Sequence, residues 1–269
     1  MEQEEKEKAR VLVGCPTSDH KEYCLENYAK AMKELSYENF DILLVDNSKG
    51  DEYSEKIKAL GLPVIRAPYS EHARDRVINS RNLLREKALE GGYDYFLSLE
   101  QDVIPLPNII EGLLRHKKKI TTGTVYHLFP QKESKEWIER PLLALKSTSV
   151  KDKLTFLSAE QIYDLHALAE VDYCSMGCLL ISKEVLKKIK FRYEEFSYRT
   201  DSADEVKWDD WCFCEDVQAM GEKIFADLGA KCEHLVIGGY SITLGDTSRV
   251  KAIPKDDTKS ISIKDIIKD

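Results

Sequence analysis

The strongest local signal in the sequence is YDYFLSLEQDVIPLP, residues 93–107. Its first part, residues 93–99, is an apolar run that leads directly into Glu100, Gln101 and Asp102. A continuous apolar run of this length is typical of a parallel strand that is buried on both faces of a sheet. Two carboxylates separated by one residue point to the same side of an extended chain, so Glu100 and Asp102 can face one ligand together.

The sequence before this stretch alternates between strand and helix patterns. Short apolar runs predict strands, and segments with apolar residues at helical spacing or with a terminal glycine predict helices. The predicted strands are residues 10–14, 41–45 and 63–66, and the predicted helices are residues 21–35, 52–60 and 73–90. This order predicts an α/β fold with right-handed crossovers and a mostly parallel central sheet flanked by helices, which binds ligands at the carboxyl ends of its strands.

The second half of the chain is less regular. Its predicted strands are residues 119–125, 171–181 and 223–226, and its predicted helices are residues 183–189 and 209–221. Residues 127–169 predict loops with one short helix, and residues 191–208 predict a mobile loop. We therefore predict a single domain at residues 9–249, with halves at residues 9–125 and 126–249 of which the second is loop-rich, and a loosely attached tail at residues 250–269.

Composition excludes some partners. The 269-residue chain has a formal net charge of -8, and nucleic-acid duplexes are bound through basic surfaces, so we expect no nucleic-acid partner. No apolar run approaches the roughly 18 residues that a membrane-spanning helix needs. The charged N-terminus predicts a cytoplasmic protein, and peripheral contact with a membrane stays open. The seven Cys are scattered, which predicts buried apolar roles and not a disulfide framework.

The acidic stretch carries a resemblance. Glu100-Gln101-Asp102 resembles the D-x-D signature of GT-A-fold glycosyltransferases of the family 2 type, with Glu in the first acidic position. The resemblance implies a GT-A (Rossmann-like) fold, a nucleotide-sugar donor and Asp102 as a ligand of Mn²⁺ or Mg²⁺, with Glu100 and Gln101 beside the donor. Carboxylate oxygens suit both ions. From the residues alone, these acids could equally be polar residues that open a loop.

Two earlier segments resemble the nucleotide-binding half of the same family. Residues 13–19, VGCPTSD, resemble its first strand and turn, and residues 41–51, DILLVDNSKGD, resemble its second strand. The resemblance implies that these segments hold the base and ribose of a UDP- or GDP-sugar, and carboxylates are good acceptors for such groups. Each polar residue could instead serve a turn or a helix cap. The implied contacts are Pro16, Thr17, Asp19 and Asp46.

A basic cluster lies in the helix before the acidic stretch. Residues 73–82, ARDRVINSRN, contain Arg74, Arg76 and Arg81, and the last resembles the arginine of the family's A-R-N element. Arginine can bind phosphate through two parallel hydrogen bonds, so the resemblance implies that Arg81 contacts the donor diphosphate. For the other two, a solvated helix face is the simpler interpretation.

The segment WDDWCFCEDVQAMGEKIFADLGAKCEHL, residues 208–235, resembles the family's catalytic segment. The resemblance implies that Asp210 is the general base of an inverting reaction and that His234 is a second metal ligand. Asp209 stands where the family usually has Glu. Asp210 could also cap the helix that it opens. A rival acid pair, Glu215-Asp216, follows in the same segment.

The acceptor side is the least defined. Gly177, within residues 171–181, permits close backbone approach to a sugar, and Trp208 and Trp211 could stack on a sugar or pack internally. Together the motifs imply a glycosyltransferase of the hexosyltransferase type that acts on a carbohydrate or another hydroxyl-bearing acceptor. Three alternatives stay open. They are a non-catalytic nucleotide- or sugar-binding protein, a retaining transferase, and a sugar-phosphate nucleotidyltransferase, whose Gly-rich basic loop the segment VGCPTSDHKEY lacks.

Overall fold

The computed structural model describes residues 8–130, 137–146, 154–162, 165–195, 206–236, 240–242 and 251–252. The first half of the chain forms four parallel strands in the order β3-β2-β1-β4. Its strands are β1 (Val11–Thr17), β2 (Phe40–Asp46), β3 (Val64–Arg66) and β4 (Tyr95–Leu99), and its helices are a 3₁₀ helix (Asp19–Cys24), α1 (Leu25–Lys33), α2 (Glu52–Ala59) and α3 (Ala73–Glu90). The predicted α/β fold with a central sheet flanked by helices is confirmed.

The helix predicted at residues 21–35 begins differently. Its first turns form the 3₁₀ helix, and the Leu25 backbone N–H donates to the Glu22 carbonyl. The Lys21 carbonyl instead accepts a hydrogen bond of 2.8 Å from the Gln101 side chain. This contact fixes the turn after β1 against Gln101, just beyond the end of β4.

The second half continues the same sheet with mixed strand directions. Strand β12 runs antiparallel to both β4 and β6, and β6 runs parallel to β15. The strands are β5 (Val103–Ile104), β6 (Ile120–Pro130), β7 (Trp137–Pro141), β8 (Leu143–Lys146), β9 (Leu154–Phe156), β10 (Leu168–Val171), β11 (Tyr173–Cys174), β12 (Cys178–Ser182), β13 (Glu194–Glu195), β14 (Val206–Lys207), β15 (Ile224–Val236), β16 (Tyr240–Ile242) and β17 (Lys251–Ala252). The helices are α4 (Ile109–Leu114), α5 (Ala159–Ile162), α6 (Lys183–Leu186) and α7 (Asp209–Ala219).

Several predictions for this half were wrong. Residues 127–169 contain strands where loops were predicted, and the strand predicted at residues 223–226 runs on to Val236, so that His234 lies inside it. Within residues 191–208, β13 pairs with β14. Residues 251–252 of the predicted tail pair with β16, and residues 253–269 lie outside the described part of the chain.

Alternating side chains divide the core into two layers, as the pleat of each strand requires. In β1, Val11 and Val13 pack into the layer that contains α1, α2 and α4. Leu12 packs into the opposite layer with α3, α6 and α7. All seven Cys are buried and unbridged, as predicted. Among the described residues, no helix is long and apolar enough to cross a membrane.

Candidate functional site

A cavity of about 310 Å³ opens at the carboxyl ends of β1, β2 and β4. The chain crosses from one side of β1 to the other between β3 and β4, and such a switch point leaves a crevice at this edge of a sheet. The lining residues come from the ends of the three strands, from the 3₁₀ helix, from α3 and from the start of α7. They are Pro16, Thr17, Ser18, His20, Lys21, Asn47, Ala73, Arg76, Val77, Arg81, Glu100, Trp208 and Asp209.

Arg81 joins two sides of the cavity. It is only 3 % exposed, and its guanidinium donates to Asp209, to Glu100 and, at 3.1 Å, to the Ser98 hydroxyl. Burial opposes this charge, but Asp209 and Glu100 hold the pKa of Arg81 above its usual value. The phosphate contact implied for Arg81 stays a prediction, since Arg81 lines the cavity. Within the chain its charge is balanced by two carboxylates, and it fixes the start of α7 to the end of β4.

Asp102 lies beside the cavity and is 5 % exposed. Its Oδ2 accepts a hydrogen bond from the Lys21 ammonium and lies 3.4 Å from both the Tyr23 hydroxyl and His234 Nε2. Its Oδ1 is buried and has no hydrogen-bond partner among the described residues. Burial opposes ionisation, but His234 and Lys21 hold the pKa of Asp102 well below its usual range. Three side chains therefore approach Oδ2 of this carboxylate, whereas Oδ1 has no donor among the described residues.

His234 faces Asp102 in a fixed orientation. It pairs with Val103 across β5 and β15, which places it beside the end of the acidic stretch. Its Nδ1 lies 2.8 Å from the Tyr126 carbonyl oxygen. Since a carbonyl only accepts, Nδ1 carries a hydrogen and Nε2 is directed at Asp102. Burial opposes protonation, but Asp102 raises the pKa of His234 above its usual value.

Asp102 and His234 could hold a divalent metal ion. The unpartnered Oδ1 supplies an oxygen ligand, and a histidine whose other nitrogen is hydrogen-bonded to a carbonyl is oriented as metal-binding histidines are. A mixed oxygen and nitrogen set suits Mn²⁺. Among the described residues, no group of three or more His, Cys, Asp or Glu side chains is arranged to hold a metal. The two ligands therefore fit a site in which the substrate would complete the shell.

Asp210 lies next to Asp209 at the start of α7. Its carboxylate accepts from the Tyr173 hydroxyl and, at 2.7 Å, from the Trp211 backbone N–H. Burial and, second, the negative Asp209 raise the pKa of Asp210 to about 6. It is not among the described residues that line the cavity. Asp209 lines the cavity, and Asp210 follows it on the helix as a half-buried side chain.

Two residues implied as nucleotide contacts have other roles. Asp46 is 0 % exposed and accepts hydrogen bonds from the Ser48 backbone, the Ser48 hydroxyl and the Ser54 hydroxyl. Gln101 is also fully buried and bonds to Thr17, Tyr53 and the Lys21 carbonyl. Both assignments are corrected, because these side chains hold the loops after β1 and β2. Asn47, one residue after Asp46, lines the cavity instead.

Of the residues implied on the acceptor side, some line the cavity and others pack internally. Trp208 is 43 % exposed and lines the cavity, with the Arg74 guanidinium 5.4 Å from its ring centre. Trp211 is half-buried, packs against the core and donates to Glu215, which favours internal packing, one of the two roles left open for it. A Cβ at Gly177 would approach Val103 to 3.1 Å, so internal packing also favours a glycine there, and its sugar contact stays a prediction. Asp19 is exposed beside Ser18 and His20 of the cavity wall.

Sequence reasoning missed several lining residues. The loops directly after β1 and β2 contribute Ser18, His20, Lys21 and Asn47. Arg76 of α3 also lines the cavity, although its sequence position favours a solvated helix face. A position just after a parallel strand was the available signal, since these loops lie at the ligand-binding edge of such sheets.

No family model and no curated protein matches the sequence. Among solved structures, A197 from STIV is 14% identical over 93% of this chain and 97% of that chain, with a TM-score of 0.47. TarS from S. aureus in complex with UDP-GlcNAc is 17% identical over 81% of this chain and 55% of that chain, with a TM-score of 0.45. The mannosyltransferase PcManGT from Pyrobaculum calidifontis, in complex with GDP-Man and Mn²⁺, is 13% identical over 82% of this chain and 57% of that chain, with a TM-score of 0.47. This chain thus spans little more than half of the TarS and PcManGT chains, and a likeness at this level alone assigns no activity to it.

Proposed function

We propose that this chain is a metal-dependent glycosyltransferase that moves a sugar from a UDP- or GDP-sugar to a hydroxyl group, with inversion. One observation carries the proposal. A cavity at the switch point of the sheet is lined by Lys21, which contacts Asp102, and by Asp209, which opens α7 next to Asp210. Asp102 in turn faces His234. These groups come from three distant segments of the chain, and their arrangement beside one cavity supports the proposal.

The cavity wall suits a donor nucleotide. Pro16, Thr17 and Asn47 would border its base and ribose, and Trp208 offers an exposed ring for the sugar or the acceptor. A divalent metal held by Asp102 and His234 would neutralise the charge that develops on the leaving diphosphate. Arg81 keeps Glu100 and Asp209 in fixed positions at the reacting end.

Asp210 is the proposed general base. Its carboxylate takes the proton of the acceptor hydroxyl as that oxygen forms a bond to the anomeric carbon. The bond between the anomeric carbon and the diphosphate oxygen breaks on the opposite face, so the configuration inverts and the electron pair leaves with the diphosphate. Tyr173 and the Trp211 backbone N–H orient this carboxylate. Asp209, held by Arg81, adds a negative charge that increases its basicity.

Sugar transfer is expected to depend on pH. Because burial and Asp209 raise the pKa of Asp210 to about 6, the ionised form that can accept a proton appears only as the pH rises through that value. We expect kcat at saturating donor and metal to fall below pH 6 with one acidic limb. A limb near pH 4, the usual range of an exposed carboxyl at about 3.9, would show that a different group titrates.

The proposal is tested by thermal denaturation with UDP-, GDP- and dTDP-sugars in the presence of Mn²⁺. A ligand that binds only the folded state stabilises it by about 2.7 kcal/mol at 100 times its Kd. One nucleotide class should raise Tm in the wild-type protein, and EDTA or Asp102→Asn should remove most of that rise. Asp51→Asn, on an exposed carboxylate, is the matched control and should retain it. No Tm rise with any donor would reject the proposal.

A second candidate is a nucleotide- or sugar-binding protein without transfer activity. Ion pairs within the chain favour this candidate. Arg81 is neutralised by Glu100 and Asp209, and Asp102 is neutralised by Lys21. A Tm rise with a nucleotide sugar but no release of nucleoside diphosphate in any acceptor mixture would support this candidate.

A further inference from the structure

Lys21 occupies an unexpected position. The 3₁₀ helix after β1 places its ammonium in contact with Asp102 Oδ2, the carboxylate that would hold the metal. The side chain is about one-third exposed, at 34%, and it lines the cavity. A lysine beside a metal-binding carboxylate is a competitor for it, since both cations neutralise the same charge.

We propose that Lys21 and a divalent metal are alternative cations at Asp102, and that the metal displaces the Lys21 ammonium into the cavity, where it binds the donor diphosphate. The inference rests on the proposed function and assigns to it a residue that the sequence motifs did not indicate. Lys21 would then be a diphosphate-binding residue that becomes available when the metal occupies its site.

The charges around Asp102 support mutual exclusion. Its carboxylate contacts the Lys21 ammonium and faces the His234 ring, and it is almost fully buried. An ammonium and a divalent ion on one buried carboxylate would repel each other strongly, because water screens little there. The ammonium is the mobile partner, since it ends a flexible four-carbon chain, whereas hydrogen bonding to Tyr126 fixes the His234 ring.

The charges of the other cavity-lining residues support a contact between the displaced Lys21 ammonium and the donor diphosphate. Arg81 is balanced by Asp209 and Glu100, and the Arg76 guanidinium donates to the backbone carbonyls of Ser70 and Glu71. A diphosphate brings several negative charges that these residues cannot balance alone. The Lys21 ammonium, once released from Asp102, supplies an uncompensated positive charge on the same wall.

The experiment measures two affinities that the proposal moves in opposite directions. Mn²⁺ alone is titrated by electron paramagnetic resonance, and inorganic pyrophosphate is titrated by calorimetry with Mn²⁺ present. For Lys21→Met and Lys21→Gln we expect Mn²⁺ to bind about tenfold or more tightly and pyrophosphate about tenfold or more weakly than in the wild type. A merely structural loss would lower both affinities together.

Two controls define the charge effect. Lys21→Arg keeps the cation and should retain Mn²⁺ affinity within about threefold of the wild type. Lys56→Met removes one positive charge from an exposed ion pair between α2 and Glu22 of the 3₁₀ helix. This substitution should change neither affinity by more than about twofold.

Unchanged or weaker Mn²⁺ binding in both neutral variants overturns the inference, and so does unchanged pyrophosphate binding. The outcome is independent of sugar transfer, because neither titration contains a donor or an acceptor. If the Mn²⁺ and pyrophosphate affinities change in opposite directions but the protein transfers no sugar, this inference stands and the proposed activity is wrong. If the protein transfers sugar but the two affinities do not change in this way, the proposed activity stands and this inference is wrong.

Discussion

Asp210→Asn is expected to lower kcat for sugar transfer by about 10²- to 10⁴-fold, the usual contribution of a general base. The substitution keeps the size of the side chain and removes its ability to take a proton. Donor binding should change little, because Asp210 is not among the described residues that line the cavity. Transfer is measured as release of nucleoside diphosphate at saturating donor, and donor affinity is measured separately by the rise in Tm.

The same variant should not be less stable at pH 8. The pKa of Asp210 is raised in the folded state to about 6, so the stability linked to its proton is present below the unfolded pKa and is lost as pH rises through 6. A neutral side chain avoids that loss, which amounts to at most about 3 kcal/mol for a shift of this size. One hydrogen bond is weakened in exchange, because Asn cannot accept from both Tyr173 and the Trp211 N–H.

The matched control is Asp216→Asn, on the same helix. Asp216 belongs to the rival acid pair and accepts hydrogen bonds from Arg192. It should keep transfer within about threefold of the wild type, as expected for a partly exposed ion pair. Normal turnover in Asp210→Asn, or equal losses in the two variants, would reject Asp210 as the base.

Arg81→Met is expected to lower the free energy of unfolding by about 3–5 kcal/mol, the usual cost of removing one partner from a buried ion pair. Arg81 holds two carboxylates, Asp209 and Glu100, and is itself almost fully buried. Without it, both acids lose the guanidinium that balances their charges. The loss is measured by urea denaturation with a common slope for both proteins.

Lys87→Met is the control for Arg81→Met. Lys87 lies on the same helix and pairs with Glu90 at an exposed position, so its loss should leave the free energy of unfolding almost unchanged. The double variant Arg81→Met with Asp209→Asn should recover part of the loss, because one unpaired charge is removed. A loss below about 1 kcal/mol in Arg81→Met would show that water solvates these acids well.

The first half of the fold was predictable because its strands are short apolar runs, such as residues 41–45, which can be recognised from the local sequence alone. Glycines also follow two of its helices, α2 and α3. Strand β15 was predicted only at its start. Residues 226–233, ADLGAKCE, alternate apolar and polar side chains, so a period-two signal for a longer strand was present and was not used. The signal ends at Glu233-His234, and the pairing with β6 shifts register between Ala226 and Lys231.

The site was predictable in part for a similar reason. Acids at the end of a buried strand, and the acids that open α7, lie where strand and helix ends must converge. The roles of Asp46 and Gln101 were not predictable, because a polar side chain at a strand end can equally hold a loop. Lys21 was also not predictable, since its contact with Asp102 depends on how the turn after β1 packs against the end of β4.

The proposed function requires that the donor diphosphate and the metal bind together at one cavity. The most direct measurement is anomalous diffraction at the manganese edge from crystals soaked with Mn²⁺ and the nucleoside diphosphate selected by the Tm panel. We expect one strong peak within about 2.0–2.2 Å of an Asp102 oxygen and of His234 Nε2, the usual distances for such ligands. The diphosphate should bind that ion from inside the cavity. A nucleotide bound elsewhere, or an ion that avoids both Asp102 and His234, would contradict the account.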